Sequence, residues 1–87
     1  MKKHRVTLAV PRLEAAAVVA TGDFTGWSTE GVRLKRRPDG GWSAAVELTP
    51  GEHQYRLLVD GEWRNNPGAE RRVPNGFGSE NDVVIVK

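Results

Sequence analysis

No cysteine occurs among the 87 residues, so neither a disulfide staple nor a thiolate-held zinc supports the fold. Two histidines, His4 and His53, without cysteine make a poor metal site. None of the serines at positions 28, 43 and 79 stands in the Gly-x-Ser-x-Gly setting of a hydrolase nucleophile. No glycine-rich stretch has the spacing that cradles phosphates. The eleven carboxylates could supply an acid–base pair, but so small a domain has little room for a deep, dry cleft. The chain therefore reads as non-catalytic, with no cofactor and no metal. Long apolar runs are missing too, and nothing approaches the roughly 18 residues of a membrane span. Lys2 to Arg5 followed by Ala15 to Ala20 imitates a secretory signal, but Pro11, Arg12 and Glu14 interrupt it. We expect no signal peptide and a cytoplasmic protein.

What is present is enough for one thin core. Hydrophobic residues make up 38% and charged residues 28%, the balance of a globular chain. We expect a single domain over residues 1–87, with residues 1–4 as a frayed basic tail. The net charge of +2 is unevenly spread, with one cluster at Lys2, Lys3, Arg5 and Arg12 and another at Arg33, Lys35, Arg36 and Arg37. Such clusters can mark a nucleic-acid footprint. They serve equally as solvated edge strands that discourage edge-to-edge pairing, and the scattered carboxylates favour that reading. Nucleic acid is not expected as the partner.

Apolar residues alternate with period two in short segments bounded by turn residues, and no window carries a capped helical period. Val6, Leu8 and Val10 mark a first strand, and Ala15 to Thr21 a second. Val32 to Arg36 is a third. After the turn at Pro38 to Gly41, Trp42, Ala44, Val46 and Leu48 share one face of a fourth. Thr49-Pro50-Gly51-Glu52 suits a type II turn. A fifth strand follows from His53 to Val59 with Tyr55, Leu57 and Val59 on one face. Asp60-Gly61 is a two-residue hairpin turn leading to a sixth, Glu62 to Arg64. Asn65 to Glu80 reads as a long polar loop, and Asp82 to Val86 as a final strand. About seven strands in one small domain predict an all-β, immunoglobulin-like antiparallel β-sandwich, with a five-stranded OB-type barrel as the alternative.

Three tryptophans are many for so thin a core. Trp42 belongs to the apolar face of its strand. Trp27 ends the loop Gly22-Asp23-Phe24-Thr25-Gly26-Trp27, in which Phe24 is expected to fold inward. The Asp60-Gly61 turn pairs Leu58 with Trp63 and Arg56 with Asn65. Those residues then lie on the face opposite Tyr55, Leu57 and Val59. A large indole standing outside beside Arg56 suggests a binding platform. Sugar rings, with apolar faces and hydroxyl rims, suit it; so do stacked bases with phosphates.

The ordered set Gly22-Asp23-Phe24-Thr25-Gly26-Trp27, Gly41-Trp42, Pro50 to Arg56, Val59-Asp60-Gly61-Glu62-Trp63, Asn66-Pro67 and Asn75 to Val83 resembles one family. It is similar to the glycogen-binding domain of the AMP-activated protein kinase beta subunit. The same module, carbohydrate-binding module family 48, forms the N-terminal early-set domain of isoamylases and branching enzymes. The resemblance covers roughly residues 5–87. It implies an early-set sandwich that binds α-1,4-linked glucans, and it assigns ring packing to Trp27 and Trp63. It further assigns hydroxyl contacts to Arg56, at a position usually held by Lys, and to Asn81. Phe77 and Ser79 match a bulky apolar residue and a hydroxyl residue in a loop that closes over the sugar. A docking module for a glycogen-metabolising enzyme is the alternative. Nothing matches the kinase-scaffolding region of the beta subunit.

Overall fold

The alternating segments form nine strands in two antiparallel sheets in the computed structural model, which describes residues 2–87. The strands are β1 (His4–Val10), β2 (Val18–Gly22), β3 (Val32–Arg33), β4 (Lys35–Arg36), β5 (Trp42–Leu48), β6 (Gly51–Val59), β7 (Glu62–Arg64), β8 (Arg71–Pro74) and β9 (Glu80–Val86). A three-stranded sheet runs β1-β5-β4, and a six-stranded sheet runs β3-β2-β6-β9-β8 with β7 added beside β6. Leu8, Val10, Trp42, Val46 and Leu48 of the first sheet bury against Val18, Ala20, Tyr55, Leu57 and Val59 of the second. This is the expected sandwich rather than a barrel. Trp42 lies in that core, and its indole N–H is satisfied by the Leu13 carbonyl at 3.0 Å.

The strand count exceeds the expected seven or so for two reasons. The segment Val32 to Arg36 is not one strand. Val32 and Arg33 pair with β2, whereas Lys35 and Arg36 pair with β5 in the other sheet. Buried Leu34 sits at the crossing, its N–H donating to the Val18 carbonyl at 2.9 Å. The expected loop from Asn65 to Glu80 also contains β8, which pairs with β9 at the sheet edge, where a proline is tolerated. Boundaries differ as well: β6 starts at Gly51 rather than His53, and β9 at Glu80 rather than Asp82. Ala15 to Ala17 precede β2, because the Ala16 and Ala17 N–H groups donate to Asp60 Oδ1, both at 2.9 Å, instead of to a ladder. His4, placed in the tail by its sequence, already pairs with Leu48; Met1 lies outside the described residues.

The hairpin at Asp60-Gly61 has positive φ at both central residues, 52° and 85°, and Leu58 pairs with Trp63 across it. The ladder ends at Leu57–Arg64, so Arg56 and Asn65 do not pair. Along that edge of β6, β9 pairs with Gly51 to Tyr55 and β7 with Leu57 to Val59. Arg56 therefore stands at a fork between two partner strands. Asp82, fully buried, holds the fork closed. It accepts hydrogen bonds from the Asn66 N–H at 2.7 Å, Asn65 Nδ2 at 3.2 Å and Arg72 Nε at 3.2 Å. Asn66 Nδ2 donates in turn to the Tyr55 hydroxyl at 2.9 Å and the Ala9 carbonyl at 3.0 Å, linking the two sheets.

Burial pushes the Asp82 carboxyl above its ordinary value of 3.8, against the opposing pull of Asn66, Arg72 and Asn65. A folded pKa above the unfolded one means that folding takes up a proton. This group's contribution is thus full below the unfolded value and falls as pH rises through the folded one. The stability of the wild type relative to Asp82→Asn, followed by urea unfolding from about pH 4 to about pH 7, is expected to decline with rising pH. A difference that grows with pH would contradict this environment. Leu57, 1% exposed at the centre of β6, is expected to cost about 2–5 kcal/mol on truncation to Ala by the same measurement. A loss below about 1 kcal/mol would show that the core does not close around it.

Candidate functional site

Alternation along β6 sends Tyr55 and Leu57 inward and Gln54 and Arg56 to the opposite face. The tight turn after β6 brings Trp63 to the same outer face, where it is 47% exposed. Arg56 Cζ lies 5.9 Å from the Trp63 ring centroid, within cation–π range.

Trp27 arrives from the other edge of β6. A 3₁₀ turn at Asp23–Thr25 follows β2, and the Trp27 N–H donates to the Gly22 carbonyl at 2.9 Å. Gly22 passes so close to β6 that a Cβ there would collide with the Gln54 carbonyl. The Asp23 carboxylate accepts the Gln54 N–H at 2.9 Å and faces His53 Nδ1 at 3.3 Å, stitching the turn to the strand. Phe24 packs half-buried against the core and meets His53 edge-on, as expected of the inward member of this loop. Trp27 itself is 39% exposed with φ at +59°, an uncommon conformation for a bulky residue and one found at ligand clamps.

The third contribution is the turn between β8 and β9. Its ends are joined by the Asn75 N–H donating to the Ser79 carbonyl at 3.1 Å, and Phe77 at its tip is 91% exposed. Asn81, one residue into β9, donates from Nδ2 to Gln54 Oε1 at 3.0 Å.

Trp27, Arg56, Trp63, Phe77, Ser79 and Asn81 thus surround one open cleft of about 580 Å³. Gln54 and Asn75 complete its lining. Gln54 was open to inference, being two residues before Arg56 and so on the same face. Asn75 carried no such signal, because its role depends on how the turn folds. Arg56 is the one charged group in the lining, and neither a carboxylate nor a histidine joins it. Among the described residues no cluster of His, Cys, Asp and Glu could hold a metal ion. Exposed aromatic faces edged by amide, hydroxyl and guanidinium groups suit a neutral, hydroxyl-rich ligand with apolar faces of its own.

Comparison with known proteins agrees with that chemistry. The family described as the glycogen recognition site of AMP-activated protein kinase matches residues 7–87. Protein PTST homolog 2, chloroplastic, of Arabidopsis thaliana is 35% identical over 72 residues, which are 83% of this chain and 13% of that protein. Protein FLOURY ENDOSPERM 6, chloroplastic, of Oryza sativa subsp. japonica is 36% identical over 72 residues, with the same shares of 83% and 13%. Human 5'-AMP-activated protein kinase subunit beta-2 is 37% identical over 70 residues, 80% of this chain and 25% of that subunit. The chain therefore spans between 13% and 25% of the length of these relatives. The matched stretch takes in both sheets and every residue of the cleft, and the chain belongs to the family of the glycogen recognition site of AMP-activated protein kinase.

Proposed function

We propose that this chain is a non-catalytic module that holds α-1,4-linked glucans such as glycogen, starch or maltooligosaccharides in the cleft between Trp27 and Trp63. The observation that carries the reading is convergence. Residues from separate stretches of the chain, each matching a sugar-contacting position of the family, line a single concave surface. Glucose rings offer C–H faces to the indoles and Phe77, while their hydroxyls find Arg56, Ser79, Gln54 and Asn81. An open cleft and a flexible sugar leave a small surplus over ordering costs, so affinity for one short oligosaccharide is weak. Of the basic clusters, Arg5, Lys35 and Arg36 lie in the three-stranded sheet and Arg33 in the other, and none of them lines the cleft. That separation favours sugar over nucleic acid. A cytoplasmic place of action, suggested by the cysteine-free composition, belongs to the same proposal. So does a partner enzyme of glycogen or starch metabolism.

Electrophoresis through native gels with and without glycogen tests the reading. The wild type is expected to be retarded by glycogen, and Trp63→Ala and Trp27→Ala to lose affinity at least about tenfold while remaining folded. Unretarded wild type, or variants that migrate like it, would overturn the assignment. Retardation is also expected to persist between about 50 mM and about 500 mM salt, because stacking on a neutral sugar releases no counterions. A steep loss with salt would point to a polyanion instead.

A further inference from the structure

The polar side chains of the cleft are joined in one hydrogen-bonded chain whose direction can be read from a single fixed point. The backbone N–H of Phe77 can only donate, so the Asn75 atom 2.9 Å away is its carbonyl oxygen. Asn75 Nδ2 is then left to donate to Ser79 Oγ at 2.8 Å and to Asn81 Oδ1 at 3.2 Å, one hydrogen for each. With its oxygen turned to Asn75, Asn81 presents Nδ2 to Gln54 Oε1 at 3.0 Å. Gln54 thereby keeps its Nε2 end for the cleft. Ser79 Oγ also accepts from Arg56 Nη1 at 3.4 Å, so its lone pairs are engaged and its own hydrogen is left over. Arg56 Nε is buried without a partner among the described residues.

We propose that Asn75 is a positioning residue that sets the hydrogen-bond polarity of this cleft, so that it offers donors and selects ligand oxygens able to accept. The inference rests on the glucan reading and deepens it. Ser79 O–H, Gln54 Nε2 and Arg56 all face the ligand as donors, and the sugar oxygens they meet are acceptors rather than hydroxyls donating to the protein. Asn75 spends both of its own N–H hydrogens on Ser79 and Asn81. It acts through Ser79 and Asn81 and not by touching sugar.

Asn75→Asp separates this role from a merely structural one. The substitution keeps size and an oxygen for the Phe77 N–H, but its second oxygen can only accept. Ser79 must then give its hydrogen to the turn, and the Asn81 and Gln54 amides reverse. Calorimetric titration with maltoheptaose is expected to show affinity roughly tenfold below wild type, with the thermal midpoint little changed. Introduced into Ser79→Ala, the same substitution is expected to cost clearly less than in the wild type, because part of its effect passes through Ser79. Equal losses on the two backgrounds would overturn the proposal. So would wild-type affinity in Asn75→Asp while Trp63→Ala fails to bind, and that result leaves the glucan reading standing. Wild type that does not bind maltoheptaose overturns both. Should Asn75→Asp unfold, Ser79→Ala alone decides: it removes the donated hydrogen, and unaltered affinity in that variant would overturn the proposal.

Discussion

A carboxyl group with no solvent exposure must be satisfied from within the protein, and Asp82 draws its partners from the segments on one side of the cleft, those that follow β7 and form β8. It lies opposite Tyr55 on β6 and opposite Arg72 on β8, so it fixes the register of β9 on both sides. Through Asn65 and Asn66 it also captures the chain as it leaves β7. Arg72 closes the circuit by donating from Nη2 to the Asn66 carbonyl at 2.8 Å. A single buried carboxyl group thus couples the strand carrying Arg56, the chain leaving the hairpin of Trp63, and the strands flanking the turn of Phe77 and Ser79.

The cleft owes its position to the fork in the six-stranded sheet. Because β9 departs after Tyr55 and β7 begins at Leu57, the chain between them bends away and the turn from β8 can return over the gap. The aromatic residues reach the cleft by different routes: one from a tight hairpin, one from a strained loop bound to the opposite edge, and one from the tip of a turn. The cleft is a set of side chains presented by an otherwise ordinary sandwich, as sites grafted on common folds are.

Much of this was legible before any coordinates. Period-two alternation gave the faces of β1, β5 and β6, and the Asp60-Gly61 turn alone fixed the side on which Trp63 emerges. The split of Val32 to Arg36 between sheets was not legible, because alternation reports which face a residue occupies but not which sheet holds its partner. β8 escaped notice for a related reason. Arg71-Arg72-Val73-Pro74 has the charges and proline of an edge strand, the features that also mark a loop. Ala15 to Ala17 looked like strand because apolar composition cannot reveal that a distant Asp60 side chain takes up their N–H groups. Gln54 shared a face with Arg56 and could be inferred, whereas Asn75 acquires meaning through hydrogen bonds to Phe77, Ser79 and Asn81 that depend on how the turn folds.

The cleft leaves three aromatic side chains, Trp27, Trp63 and Phe77, substantially exposed. Trp27 is set by its backbone bond to Gly22 and Trp63 by the tight hairpin, so the cost of placing these two is met during folding rather than when a ligand arrives. Water over these rings is released on occupancy, and removing apolar surface from water lowers the heat capacity. The enthalpy of association therefore becomes more favourable on warming, while the entropy becomes less so. A ligand that covered these rings would show a thermodynamic signature that shifts with temperature even where its affinity changes little.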